Sequence, residues 1–268
     1  MYAAWMDNRT GTSGVDFKIY AQHVDVNGNM LWALNGVPVC PSDSRQFHPR
    51  ITTTSNGDLL VCWAFDTGRL VRAQRLAAAD GAPQWGATGA DLGDWPAGGT
   101  DNDIAVAADY HDGLVATWQF SAPSGPGARV QRVGPSGSVI WTPAGVPVPN
   151  AAGDPTHTTI AADRNGGAIV AWDTFSAPNF AVYAQRFGSV NGNPLWTPAL
   201  GVGLTDRPGS HSLPVAAPDG NDGAYVAFRD GLTASSLRSV GMQHLSDAGV
   251  LLSSPAAITV AAPGDAVS

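Results

Sequence analysis

Three histidines and one aspartate occupy what the sequence presents as a single repeated position, just before an apolar segment. The four copies read Phe-His48-Pro-Arg-Ile51, Thr-Asp101-Asn-Asp-Ile104, Thr-His157-Thr-Thr-Ile160 and Ser-His211-Ser-Leu-Pro214. Three imidazoles and a carboxylate suit Zn²⁺ or another divalent transition metal, provided that the side chains converge. The simpler interpretation is that each polar side chain caps its own segment and hydrogen-bonds locally.

Carboxylates offer a second kind of chemistry, the hydrolysis of glycosidic bonds by a pair of acidic side chains. The chain contains no Glu, so such a pair would consist of Asp residues. Four of them follow similar apolar segments: Asp7, Asp66, Asp173 and Asp230. Pairing with nearby Arg9 or Arg69 is the simpler role for them. The sequence shows no nucleophile elbow, phosphate loop or dinucleotide fingerprint, so we predict no catalytic and no cofactor-binding residue.

Trp95 stands outside every repeated position, in the loop Leu92-Gly-Asp-Trp95-Pro-Ala-Gly-Gly99, and is a candidate ligand contact. Asp-rich turns such as Asp163-Arg-Asn-Gly-Gly167 resemble loose Ca²⁺ loops, but they lack the six to eight spaced oxygen ligands that Ca²⁺ needs. Asp and Asn adopt turn conformations without an ion, so we interpret these segments as hairpin turns.

These candidates sit within a repeat of about 54 residues that occurs five times. A glutamine recurs at spacings of 52, 57, 54 and 58 residues: Gln22, Gln74, Gln131, Gln185 and Gln243. An aromatic residue precedes it in each copy: Trp5, Trp63, Trp118, Trp172 and Phe228. A second Trp follows it in four copies, at Trp32, Trp85, Trp141 and Trp196, and Ser253 replaces it in the fifth. We predict that the Gln is structural and that the Trp rings pack between repeats, with exposed, sugar-binding rings as the alternative.

Each repeat reads as four short strands, because Asn-Gly turns such as Asn27-Gly28 and Asn191-Gly192 separate its apolar runs. Four-stranded antiparallel units at this period are typical of propeller blades. The sequence therefore predicts one all-β domain over residues 1–268, a five-bladed β-propeller. Strand two occurs five times but strand one only four times, so one blade should be incomplete at the termini, or the chain is part of a longer array.

Composition narrows the possible partners. The net charge is −8 and the pI is about 4.9, which disfavours nucleic acid and anionic membrane surfaces as partners. No run of about 20 apolar residues is present, and no signal peptide is visible at the start. The two cysteines, Cys40 and Cys62, either form one bridge or are two buried thiols.

One string in the first copy resembles a known repeat. It runs Trp5-Met-Asp7-Asn-Arg9, then Lys18-Ile-Tyr-Ala-Gln22, then Gly28-Asn-Met-Leu-Trp32, then Asn35-Gly-Val-Pro-Val39. It is similar to repeats of large secreted bacterial proteins that often carry a C-terminal sorting domain, and the similarity covers nearly the whole chain. The resemblance implies a propeller-like fold and an extracellular or cell-surface location, and it implies no settled activity.

Without an asymmetric catalytic set, the sequence favours an extracellular, non-catalytic binding or scaffold module that recognises glycan or protein. The alternative is a polysaccharide-acting glycoside hydrolase with Asp catalysts at the mouth of the propeller channel. A divalent metal held by the His and Asp set is the only cofactor that we consider.

Overall fold

The structure is a computed structural model that describes residues 1–9, 16–41, 45–65, 69–94, 100–122, 125–149, 153–231, 238–253 and 257–261. Asp66 and Trp95 lie outside these ranges. Within them, the chain forms nineteen β-strands in five antiparallel sheets. No described helix is long and apolar enough to cross a membrane.

The five sheets follow one another along the chain, and we call them blades 1 to 5. Blade 1 contains β1 (Tyr2–Asp7), β2 (Lys18–His23) and β3 (Val37–Pro38). Blade 2 contains β4 (Gln46–Thr53), β5 (Leu59–Phe65), β6 (Leu70–Leu76) and β7 (Ala90–Asp94). Blade 3 contains β8 (Thr100–Ala108), β9 (Leu114–Ser121), β10 (Gly127–Val133) and β11 (Val146–Pro147). Blade 4 contains β12 (Pro155–Ala162), β13 (Ala168–Ser176), β14 (Asn179–Phe187) and β15 (Val202–Gly203). Blade 5 contains β16 (Ser210–Pro218), β17 (Ala224–Gly231), β18 (Arg238–Leu245) and β19 (Ile258–Ala261).

In every blade the strands pair in chain order, as a meander. The fold is therefore an all-β, five-bladed propeller, as predicted, and its described strands leave blade 1 with three strands while the others have four. We call β4, β8, β12 and β16 the inner strands, because residues of all four line one pocket.

The core lies between the blades. Four apolar clusters join blade 1 to 2, 2 to 3, 3 to 4 and 4 to 5. The first aromatic anchor sits in each of them, at Trp63, Trp118, Trp172 and Phe228, and each of these rings is at most 2% exposed. The predicted packing role is confirmed for these four rings, and the sugar-binding alternative is wrong for them because a buried ring offers no face to a ligand.

The second Trp connects each blade to the next through a hydrogen bond. Its Nε1–H donates to a turn carbonyl of the following blade: Trp32 to Ala78 (3.0 Å), Trp85 to Pro135 (2.9 Å), Trp141 to Ser189 (3.1 Å) and Trp196 to Asp247 (2.8 Å). In blade 5 the corresponding residue is Ser253, whose backbone N–H donates to Gln243 within the same blade. Blade 5 therefore lacks this connection to a following blade.

The repeated glutamine joins the third strand to the segment that follows it. In blade 3, Gln131 Oε1 accepts the backbone N–H groups of Arg132 (2.9 Å) and Trp141 (3.2 Å). Its Nε2 donates to the Thr142 carbonyl at 2.7 Å. The pair of bonds to Oε1 recurs at Gln22, Gln74, Gln185 and Gln243. The predicted structural role is confirmed.

The Asp-rich segments are hairpin turns, as predicted. Asp163 Oδ1 accepts the N–H groups of Asn165 (3.0 Å) and Gly167 (2.6 Å), and its Oδ2 accepts from Arg186 Nε at 2.8 Å. Asp109 and Asp219 make the same turn bonds, with an Arg or a His as the partner of Oδ2.

Both cysteines are buried free thiols, so the predicted alternative of a disulfide bridge is wrong. Burial raises the pKa of the Cys62 thiol, because a thiolate would lose its hydration there.

Candidate functional site at the propeller axis

The inner strands enclose a pocket of about 460 Å³. Its polar lining comes from Arg50 on β4, Asp103 on β8 and His157 with Thr158 and Thr159 on β12. Apolar residues of the same strands and of β16 complete it: Ile51, Ile104, Ala105, Val106, Leu213, Pro214 and Val215. The volume falls in the range of small-molecule sites in proteins.

A β-bulge in each inner strand positions the residue that faces this region. The pairing shifts between Phe47/Arg50, Asp101/Ile104, Thr156/Thr159 and Ser212/Val215. Three bulge residues have left-handed backbones: His48 (φ 52°), His157 (φ 46°) and Leu213 (φ 56°). Bulges re-aim a side chain, and they are common beside active sites.

The pairing register corrects the predicted set. Counted from the paired residues on both sides of each bulge, the equivalent positions are His48, Asp103, His157 and Leu213. Asp101 and His211 lie two residues earlier, so the prediction that they share one position with His48 and His157 is wrong. The cause is physical: a shift of two residues keeps every side chain on the same face of a strand, so the apolar pattern looks equally good in either register.

His157 is held by a buried carboxylate. Its Nδ1 lies 2.9 Å from Oδ2 of Asp173, which is fully buried on β13. The same oxygen accepts the backbone N–H of Leu213 from blade 5 at 2.8 Å, and the Thr156 hydroxyl donates to the other oxygen. The imidazole itself is about half exposed (51%) and borders the pocket. A carboxylate behind an imidazole fixes the orientation of the ring, and Nε2 is left as the nitrogen for chemistry in the pocket.

Asp103 brings a carboxylate to the same pocket from the neighbouring blade. Its Oδ1 accepts from Arg50 Nη2 at 2.7 Å and from the Ile104 backbone N–H at 2.9 Å. Both partners of this ion pair are 45% exposed. The axial site therefore combines an oriented imidazole, an accessible carboxylate and a guanidinium. Sequence reasoning missed Asp103, and aligning it with His157 across a two-residue offset would have found it.

The remaining predicted residues lie elsewhere. His211 is buried, with Nδ1 3.0 Å from Asp230 Oδ1 and Nε2 2.9 Å from the Arg207 carbonyl. The His48 ring lies against Phe47, with the two ring centroids 6.3 Å apart. The side chain of Asp101 and the whole of Trp95 lie outside the described residues. Among the described side chains, no group of three His, Cys or Asp is placed to hold a metal ion. The four-ligand metal site requires Asp101, so it stays a prediction.

The carboxylates after the second strands divide between two environments. Asp7 accepts hydrogen bonds from Arg9, as the sequence suggested, and this lowers the pKa of Asp7 to about 2. Asp173 and Asp230 are instead buried, each beside a histidine.

No known family profile matches this sequence, and no curated protein sequence matches it. Solved structures match the fold at low identity. An endo-arabinase from Bacteroides thetaiotaomicron is 11% identical with a TM-score of 0.45, over 85% of this chain and 84% of that one. An α-L-arabinofuranosidase from Clostridium thermocellum is 12% identical with a TM-score of 0.45, over 97% and 90%. An exo-1,5-α-L-arabinanase from a bovine ruminal metagenomic library is 12% identical with a TM-score of 0.42, over 92% and 94%. The chain is thus similar in fold to five-bladed β-propeller glycoside hydrolases.

This finding corrects the predicted function. The three structures carry the names of carbohydrate-active enzymes, and other matches are described as a glycosyl hydrolase and as mannoside phosphorylases. The predicted non-catalytic binding or scaffold module is contradicted, and the alternative of a polysaccharide-acting hydrolase is the one that these neighbours favour. At such low identity the likeness concerns the fold, so the activity is argued from the axial site alone.

Proposed function

We propose that the protein hydrolyses glycosidic bonds of a polysaccharide in the axial pocket. The observation that carries this proposal is the buried Asp173 behind the half-exposed ring of His157, which opens onto a pocket of about 460 Å³. A histidine oriented in this way is suited to proton transfer near neutral pH.

Glycoside hydrolysis needs a proton for the leaving oxygen and a base or nucleophile on the sugar. In the proposed reaction, His157 Nε2 gives its proton to the glycosidic oxygen. The Asp103 carboxylate removes a proton from the attacking water and so supplies the second group. Arg50 holds Asp103 in place through their 2.7 Å contact, and Asp173 holds the imidazole. This scheme replaces one of the usual two carboxylates by a histidine, which is consistent with a chain that has no Glu.

The substrate side of the pocket is partly apolar. Ile51, Val106 and Val215 line it together with the hydroxyl groups of Thr158 and Thr159. Sugar rings present apolar C–H faces and hydroxyl edges, so such a mixed wall suits one or two sugar units. An exported location follows only from the resemblance of the repeats, and we propose it on that basis.

The test measures reducing ends released from arabinan, galactan and mannan by the purified chain. His157→Asn and Asp103→Asn should each lower kcat by about 10²- to 10⁴-fold, which is the usual share of general acid–base catalysis. Asp91→Asn is the matched control, because Asp91 forms a similar exposed pair with Arg72 on outer strands. Full activity in both pocket variants, or no release from any of the three polysaccharides, would overturn the proposal.

A further inference from the structure

One face of blade 5 is exposed at positions that are buried in blade 4. Ile169, Val182 and Leu204 of blade 4 pack against blade 5 and are at most 2% exposed. The residues at the same repeat positions in blade 5 are Tyr225, Val240 and Val260. They are 40%, 38% and 58% exposed.

In blades 2 to 5 a single element covers this kind of face. The inner strand of each of these blades packs against the strands of the preceding blade, as β16 does against β12, β13 and β14. Ile160 and Ala162 of β12 enter the apolar cluster with blade 3 in this way. The described part of blade 1 has no inner strand, and no described apolar cluster joins blades 5 and 1.

The edge of β1 is open where an inner strand would pair. Met1 and Val24 exchange both backbone hydrogen bonds, at 2.7 and 2.8 Å. Hydrogen-bonded pairs alternate along an antiparallel ladder, so the N–H groups of Tyr2, Ala4 and Met6 point away from β2. In blade 2 the equivalent edge of β5 pairs with β4. β1 itself is incompletely buried along its length, whereas β5 is buried throughout.

We propose that the edge of β1 and the exposed face of blade 5 together bind an extended strand from a separate polypeptide that carries this repeat. The strand would pair antiparallel to β1, as β4 does with β5. Its apolar positions would cover Tyr225, Val240 and Val260. Main-chain hydrogen bonds supply the affinity in such strand addition, and the alternate side chains supply specificity. The four inner strands of this chain define the pattern that would be recognised: a polar half, a bulge residue, then a small apolar half.

The experiment titrates the full chain into a fluorescently labelled peptide with the sequence of β12, residues 155–162. We expect saturable one-to-one binding and a higher Tm of the chain at saturation. A control peptide with Ile160→Asp should bind about tenfold more weakly or less, because it puts a charge against the apolar face. A scrambled peptide of the same composition should not bind.

Two variants of the chain locate the site. Ala4→Pro removes one free edge N–H without touching the bonds to β2, and Val260→Asp places a charge on the exposed face. Each should weaken binding of the β12 peptide about tenfold or more. Val260→Asp should also leave the Tm of the unbound chain nearly unchanged, because Val260 is mostly exposed, so it separates binding from folding. Equal binding of the scrambled peptide, no saturable binding, or unweakened binding to Val260→Asp would overturn the proposal.

Discussion

Asp173 is the residue that ties the axial site to the scaffold. Its buried carboxylate contacts His157 and Thr156 of its own blade and the Leu213 backbone of blade 5. In blade 3 the corresponding side chain is Gln119, which accepts the backbone N–H of His157 at 3.0 Å. The residue after the first Trp therefore holds the bulge of the next blade, and in blade 4 it also orients the imidazole.

We expect Asp173→Ala to lower the free energy of unfolding by about 2 kcal/mol, because it leaves the Leu213 N–H and the Thr156 hydroxyl without their acceptor. Denaturant unfolding measures the change. The control Asp91→Ala removes an exposed ion pair and should stay within about 0.5 kcal/mol of the parent. An equal effect of the two substitutions would contradict the assigned role of Asp173.

Two aspartates in hairpin turns have lowered pKa values for the same reason. Burial alone would raise the pKa of Asp58, but hydrogen bonds from the Ala78 N–H and from Arg75 outweigh it. Burial likewise opposes ionisation of Asp219, but the hydrogen bond from His244 and the turn N–H groups lower its pKa overall. Hydrogen bonds to the charged form thus exceed the cost of burying it.

A pKa that is lower in the folded state contributes stability above the unfolded value of about 3.9, and that stability disappears as the pH falls through the folded value. Asp7, with its pKa of about 2, adds to the same trend. We therefore expect the free energy of unfolding to decline as the pH is lowered from about 5 to about 2, measured by urea unfolding across that range. Asp58→Asn should flatten the decline, and a stability that rises on acidification would contradict this account.

At the scale of elements, the blade strands could be predicted because each apolar run alternates and ends at a turn signal. The hairpin from Ala168 to Phe187 is an example, since Trp172 and Gln185 mark its two strands. The inner strands could not be placed as well. Their bulges insert residues without a turn signal, and the two-residue offset of Asp103 leaves the apolar pattern intact. The buried Asp173 behind His157 also joins residues of two strands, which spacing along the chain does not reveal.

The second Trp of each repeat has two separable contributions to blade stacking. The Trp141 ring is buried between blades 3 and 4, and its Nε1–H donates to Ser189. Trp141→Phe keeps most of the ring and should cost about 1 kcal/mol for the lost hydrogen bond. Trp141→Ala should cost about 3 to 5 kcal/mol, because it also opens a cavity.

Urea unfolding of the parent and both variants measures these differences. Ser253 gives the internal comparison, because blade 5 has no Trp at this position, and Ser253→Ala should change stability less than Trp141→Phe does. Equal losses in Trp141→Phe and Trp141→Ala would show that the hydrogen bond, not the ring, supplies the stacking energy, contrary to this expectation.

At the scale of the whole molecule, the five blades are equivalent in sequence but not in surroundings. Blades 2, 3 and 4 each have apolar clusters on two sides, whereas the described clusters leave blades 1 and 5 with one each. In repeat architectures stability is approximately a sum over units and the interfaces between neighbours. The same residue type at the same repeat position should therefore matter differently at the blade 5 face.

Val182 in blade 4 and Val240 in blade 5 allow that difference to be measured, because they share one repeat position and differ in exposure, 2% against 38%. Val182→Asp buries an unpaired carboxylate and should lower the free energy of unfolding by more than about 3 kcal/mol. Val240→Asp places the same charge on the open face, where exposed substitutions usually stay near 0.5 kcal/mol, and we expect about that loss. Chemical denaturation of the two variants beside the parent decides the matter. A large loss for Val240→Asp would mean that the seam between blades 5 and 1 is a packed interface like the other four, and the strand-binding surface would then not exist.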